Sequence, residues 1–176
     1  MPKKQQNVPI WDPFIRIFHW SIALAYLGAW ASAEEWPQLH AQLGYFILVL
    51  LGLRLVWGLI GTRHAQFRDF VHAPRSTLSY LRSIKSGRPQ HYLGHNPAGG
   101  WMVIAMLACL AGTAASGVLI AGGAEAWEDL HEALAGLSLL LIAMHLAGVL
   151  VASLLHRENL VKAMLTGNKM RRDADV

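Results

Sequence analysis

Residues Leu130–Leu155 read LHEALAGLSLLLIAMHLAGVLVASLL. The run is long and apolar enough to cross a bilayer, whose hydrocarbon layer of about 30 Å takes about 20 helical residues. Two histidines interrupt it, His131 at one end and His145 fourteen residues further on. An α-helix turns about 100° and rises about 1.5 Å per residue. Fourteen steps therefore return a side chain to within roughly 40° of the same face, about 21 Å along the axis. One helix offers two imidazoles on one face, one near each side of a membrane.

Three more apolar stretches have the length to cross. The four spans are expected at about 13–33, 39–60, 100–121 and 130–155. Pro13, Pro37 and Pro97 stand at or before span starts, where proline is tolerated because the first helical N–H groups need no intrahelical acceptor. The composition agrees. The chain of 176 residues is 54% hydrophobic and 15% charged, against about 25% charged for a soluble domain. Its length fits one domain, so residues 1–176 read as a single all-α, integral membrane four-helix bundle.

The basic residues give an orientation. Lys3, Lys4 and Arg16 precede or begin the first span; Arg63, Arg68, Arg75, Arg82, Lys85 and Arg88 fill the connection 61–99. Arg157, Lys162, Lys169, Arg171 and Arg172 follow the fourth span. The other two connections carry Glu34, Glu35, Glu125, Glu128 and Asp129, and no Lys or Arg. The positive-inside rule then predicts both termini and the long connection in the cytoplasm. A competing reading, a signal peptide cleaved after Ala31-Ser32-Ala33, fits less well, because Asp12 and Arg16 crowd the apolar run. Within the long connection, Pro74 to Lys85 has an amphipathic pattern, with Leu78, Leu81 and Ile84 on one side, suited to lipid headgroups. The net charge of +4 does not indicate nucleic acid, since no aromatic-interleaved basic patch or nucleic-acid motif is present. The single cysteine, Cys109, reads as a small core hydrophobe. No Cys-x-x-Cys-His occurs, which excludes covalent c-type haem.

His19 lies at the inner end of the first span, and His40 opens the second at its outer end. Depth pairs His40 with His131 on the outside and His19 with His145 on the inside. Neutral imidazole is a good iron ligand, and a polar side chain in lipid turns to the bundle interior or to a partner. Two bis-histidine haems about 20 Å apart match this layout. Any one of these histidines alone would read as an interfacial residue; the matched depths carry the argument. Small residues at Gly44, Ala135 and Ser138 leave room for a flat macrocycle, although small residues also let membrane helices pack closely. Arg54 sits fourteen residues after His40 and shares its face near the inner haem level. A buried cation needs an anion, and a haem propionate would serve; the competing reading is snorkelling to the interface. His64, His72, His91, His95 and His156 read as solvated, with His95 a candidate exception. The tryptophans near span ends match an aromatic belt.

Several segments together resemble the bacterial cytochrome b561-like family, specifically the b-type diheme subunits of membrane-bound nickel–iron hydrogenases and formate dehydrogenases. These are Trp11–Trp20, Leu39-His40, Gly94–Gly100, Trp127–Glu132, the step from His131 to His145, and His156–Leu160. The resemblance covers nearly the whole chain. It implies that His19, His40, His131 and His145 ligate two non-covalent haem (heme) b groups. It also implies a quinone near the inner haem. In the formate dehydrogenase relatives an Asn and a Gly at the start of the third span contact it; Asn96 and Gly99 correspond, with a proline inserted between them. A plain loop-to-helix turn explains the same residues.

The expectation is a multi-pass protein of the bacterial inner membrane, in contact with lipid, that moves electrons between the quinone pool and a periplasmic redox partner. That partner would be a cytochrome c or a hydrogenase-like subunit, steered by the outer acidic residues; a homodimer is left open. Two alternatives stand beside it. A superoxide:quinone oxidoreductase of the b561 type would want a cationic outer funnel, where this chain is acidic. A haem-free transport or assembly protein would want a polar pathway, which the spans scarcely offer.

Overall fold

The structure, a computed structural model, describes residues 6–87 and 90–171. Lys3, Lys4, Arg88 and Arg172, which contribute to the charge pattern that orients the chain, lie outside the described residues. The chain runs β1 (Gln6–Pro9), α1 (Pro13–Ser32), α2 (Pro37–Ile60), α3 (Phe67–Phe70), α4 (Pro74–Lys85), α5 (Pro97–Ala121), α6 (Glu128–His156), α7 (Leu160–Thr166) and β2 (Asn168–Arg171). Single 3-10 turns at Arg63–Ala65 and Glu125–Trp127 join these elements.

Four of the helices, α1, α2, α5 and α6, are long and apolar enough to cross a membrane. Proline opens α1, α2, α4 and α5. Asp12 caps α1 by accepting from the Ile15 N–H at 2.9 Å, and Asn96 caps α5 by accepting from the Gly99 N–H at 2.8 Å. Such caps satisfy donors that the first turn leaves open. The third long helix, α5, begins three residues before the start expected from hydropathy, because Pro97 and its Asn96 cap set the boundary rather than the first run of large apolar residues.

Helix α1 packs along α2, α2 along α5, and α5 along α6. The central core lies among the first three, with Ala25, Tyr26, Ala29, Ile47, Leu51, Leu110 and Ala114 buried. Large apolar residues elsewhere on the spans face outward: Leu24, Leu59, Leu146 and Leu154 are all largely exposed, as lipid contact requires. Cys109 is buried and donates to the Leu134 carbonyl at 3.4 Å, tying α5 to α6.

Sequence pattern did not foresee how the chain closes. β1 and β2 pair antiparallel, Gln6 opposite Arg171 and Pro9 opposite Asn168, so both end segments lie at the end of the bundle that carries Arg63 to Lys85. A second core forms there from Ile10, Trp11, Ile15, Ala65 and Ala163. Two expectations are corrected. Trp11 is buried in this core rather than standing in an aromatic belt, and His91 and His156 are buried rather than solvated. Their rings meet edge-on at 5.0 Å. His91 Nε2 lies 3.2 Å from Glu158 Oε2, and Lys169 Nζ lies 3.5 Å from the same oxygen. This is the basic end of the bundle; the opposite end, with Glu34, Glu35, Glu125, Glu128 and Asp129 all exposed, is the acidic end.

Candidate functional site

The two histidines of α6 each meet a histidine of another helix. At the basic end, the His19 ring of α1 faces the His145 ring at 6.3 Å between centroids. At the acidic end, the His40 ring of α2 faces the His131 ring at 5.9 Å. Two imidazoles on one metal ion, with nitrogens at about 2.0–2.1 Å from it and centroids about 1.1 Å behind the nitrogens, stand roughly 6.3 Å apart. Both pairs are close to that separation. Their rings are inclined to each other by 51° and 74°.

Hydrogen bonding prepares the acidic-end pair. His40 Nδ1 donates to the Ala29 carbonyl at 2.8 Å, and His131 Nδ1 donates to the Thr113 carbonyl at 2.9 Å, with Ser116 Oγ at 3.1 Å. A carbonyl on Nδ1 fixes the tautomer that leaves Nε2 with its lone pair free for a metal. Gly117 makes room for this ring: a Cβ there would lie 3.1 Å from His131 Cε1. At the basic end, His19 Nδ1 is buried without a hydrogen-bond partner.

The surroundings suit a flat cofactor. α6 buries only 6% of its span against the rest of the chain, whereas the other three bury 22–28%. It packs extensively on α5 and only sparsely on α1 and α2, the helices that supply the opposing histidines. Between the two levels the Tyr26 hydroxyl donates to the Ala135 carbonyl at 3.2 Å, a link from α1 to α6. Gly44, one turn from His40, borders open space: a Cβ there would meet nothing within 4 Å. Among the described residues no group of three or more His, Cys, Asp or Glu side chains could hold a bare metal ion. The residues present therefore fit a haem at each level.

Arg54 is 3% exposed and so does not snorkel. Its Nη2 donates to the Ala65 carbonyl at 3.0 Å, and its guanidinium lies 4.9 Å from the Phe67 ring and 5.9 Å from that of Phe70. Two glycines let α3 come close enough to supply those rings. A Cβ at Gly58 would lie 2.1 Å from Phe67 Cε2, and one at Gly100 would lie 2.1 Å from the Phe70 carbonyl oxygen. α3 is thus wedged between α2 and α5 as a clasp over Arg54. His95 packs between Trp11 and Phe70, with centroids 4.7 and 4.8 Å away. Burial first, then the charge of Arg54 and lesser influences of Lys169, His145 and His19, push His95 down to about 3, so it is neutral at ordinary pH. The burial of His95 comes from Trp11 and Phe70, both distant from it in sequence. Asn96 and Gly99 are joined to each other by the helix cap.

Comparison with known proteins agrees with this geometry. No curated protein and no solved structure matches the chain. The family model described as prokaryotic cytochrome b561 matches residues 10–167, a stretch that contains all four histidines and every long helix. That family implies haem b cofactors and haem-based electron transfer across a membrane. Matched over most of its length, with facing imidazoles at two levels of an apolar helix bundle, the chain belongs to the prokaryotic cytochrome b561 family.

Proposed function

We propose that the chain carries electrons across the bacterial inner membrane through two haem b groups, one between His19 and His145 and the other between His40 and His131. It exchanges them between the quinone pool and a periplasmic redox protein. The observation that carries the reading is the pair of ring separations, 6.3 and 5.9 Å, one at each level of α6. When bound, the haems supply the one-electron chemistry; the protein supplies axial ligands, burial and spacing. α6 holds the two levels about 21 Å apart, from its rise per residue. The α5 carbonyl at Thr113 and the α1 carbonyl at Ala29 aim the acidic-end ligands. Arg54, held by the Ala65 carbonyl and the rings of α3, would supply a cation to an anionic group of a haem bound at the basic end.

The basic end faces the cytoplasm in this reading, because Lys and Arg residues gather there and are absent from the other end. Both termini are then cytoplasmic. α4, with Leu78 and Leu81 exposed, lies on the inner lipid surface. Quinone binds near the basic-end haem, with Asn96 and Gly99 as the candidate contacts. Asn96 Oδ1 is engaged by the cap, so its amide NH2 is the group that would reach the quinone. The exposed carboxylates of the acidic end suit a basic partner such as a cytochrome c and oppose a superoxide substrate, which is itself an anion.

The test is a reduced-minus-oxidised spectrum of the purified protein with haem counted per chain. Two low-spin b haems are expected, followed by their reduction on adding a quinol. A single haem would mean that one histidine pair is misassigned. No haem would end the electron-transfer reading in favour of transport or assembly.

A further inference from the structure

The basic end carries a polar feature that electron transfer leaves unused. Gly61 ends α2, and the turn Arg63–Ala65 leads from it into α3. Arg63, Gln66, Arg68 and Asp69 line an open cleft of about 580 Å³ there. Each arginine is steered through its Nε. Arg68 Nε donates to Gln66 Oε1 at 2.6 Å, and Gln66 Nε2 in turn donates to the Gly61 carbonyl at 2.7 Å. Arg63 Nε lies 3.4 Å from Asp69 Oδ1, while Asp69 Oδ2 lies 3.1 Å from His64 Nδ1. Among the described residues, the terminal Nη groups of both arginines meet no protein acceptor. The Arg63 side chain is 83% exposed even with Asp69 beside it.

Two arginines against one carboxylate leave the cleft with surplus positive charge. Both Asp69 oxygens are engaged, so the carboxylate opposes an incoming anion less than a free one would. Planar guanidinium forks with open Nη groups match the oxygens of a phosphate. An apolar surface leads up to the same place. Val49, Leu53, Val56 and Ile60 follow one another along α2 at steps of four, three and four residues, which puts them on one face. All four are exposed, Ile60 to 73%, and the buried Ile47, Leu51, Arg54 and Gly58 take the opposite side. In a bilayer such a stripe faces acyl chains, and it stops three residues short of Arg63. A molecule with its chains along the stripe brings its phosphate to the cleft. A headgroup that adds a cation of its own is disfavoured beside two arginines; an anionic one is favoured.

We propose that the cleft of Arg63, Gln66, Arg68 and Asp69 binds the phosphate of an anionic glycerophospholipid, whose acyl chains lie along the Val49–Ile60 stripe of α2. This is one lipid of defined charge at a defined place, distinct from the general contact of α4 with the headgroup layer. It rests on the membrane-spanning bundle and not on the assignment of the haems or of a quinone.

The test is native mass spectrometry of the purified, haem-loaded protein released from detergent, with phosphatidylglycerol or phosphatidylcholine of identical acyl chains titrated in. One phosphatidylglycerol per chain should bind about tenfold or more tighter than phosphatidylcholine. Arg63→Gln/Arg68→Gln should abolish the preference, and each single variant should lose part of it, with melting in phosphatidylcholine unchanged. Arg75→Gln/Arg82→Gln, which removes the same charge from α4, should keep it. sn-Glycerol 3-phosphate, a phosphate without chains, should not displace the lipid at equal concentration. Equal binding of the two lipids by the wild type overturns the proposal without recourse to any variant. It is also overturned if the α4 variant loses the preference and the cleft variant keeps it, or if glycerol phosphate displaces the lipid, which would make the cleft a site for a soluble anion.

Discussion

Gly100→Ala should open the clasp over Arg54. The added methyl would lie 2.1 Å from the Phe70 carbonyl oxygen, and contacts of a Cβ below 3.0 Å essentially do not occur. The partner is backbone, so no rotamer change relieves it, and α3 must retreat from α5 by about 0.9 Å. Phe70 is only 1% exposed, so the retreat breaks a sealed contact. Overpacking of this kind costs about 1–3 kcal/mol. At about 2–4 °C per kcal/mol for a chain of this size, melting of the haem-loaded protein in detergent should fall by about 2–12 °C. Phe70 also packs on His95 and faces Arg54, so the retreat loosens both of those contacts as well. Gly52→Ala is the control: it lies exposed on α2 with nothing within 4 Å of its Cβ position, and it should melt with the wild type. If Gly100→Ala did the same, the wedge argument would be wrong.

Three further outcomes can be checked. Asp12 is predicted to make the protein acid-sensitive: burial raises its carboxyl, but hydrogen bonds from Thr62, Ile15, Trp57 and Phe14 outweigh it and hold the group below its ordinary value of 3.8. Its contribution is therefore complete above the ordinary value and is lost as pH falls through the lowered one. Asp12→Ala, which removes the cap at about 0.5–2 kcal/mol, should flatten that part of a melting-versus-pH curve. Tyr26→Phe should cost about 0.6 kcal/mol by removing the tie to Ala135, with neither haem spectrum changed. Extracting the haems should raise hydrogen exchange and proteolysis in α6 more than in α5, because α6 is the span least held by protein; equal protection in both helices would contradict its dependence on the cofactors.

The four long helices were legible in the sequence because hydropathy is a local property and proline marks where three of the runs begin. The meeting of His19 with His145 and of His40 with His131 was legible because helical rise converts residue number into depth. What pattern could not supply were contacts between segments far apart in the chain. Arg54 is fourteen residues from His40, which gave its level, but its partners Ala65, Phe67 and Phe70 depend on Gly58 and Gly100 admitting α3. The burial of His91 and His156 depends on Glu158, Lys169 and the returning tail. Nothing in a polar, basic stretch announces such a cluster. The strands Gln6–Pro9 and Asn168–Arg171 are too short to show an alternating pattern.

That pairing of the two end segments has a bearing on assembly. Asn168–Arg171 follows every long helix in the chain, so β1 waits with no partner until all four have been synthesised. Closing so long a loop is slow relative to local helix formation. The core of Ile10, Trp11, Ile15 and Ala163 is then completed last. The antiparallel pairing of Gln6–Pro9 with Asn168–Arg171 then ties the first and last segments of the chain over that core.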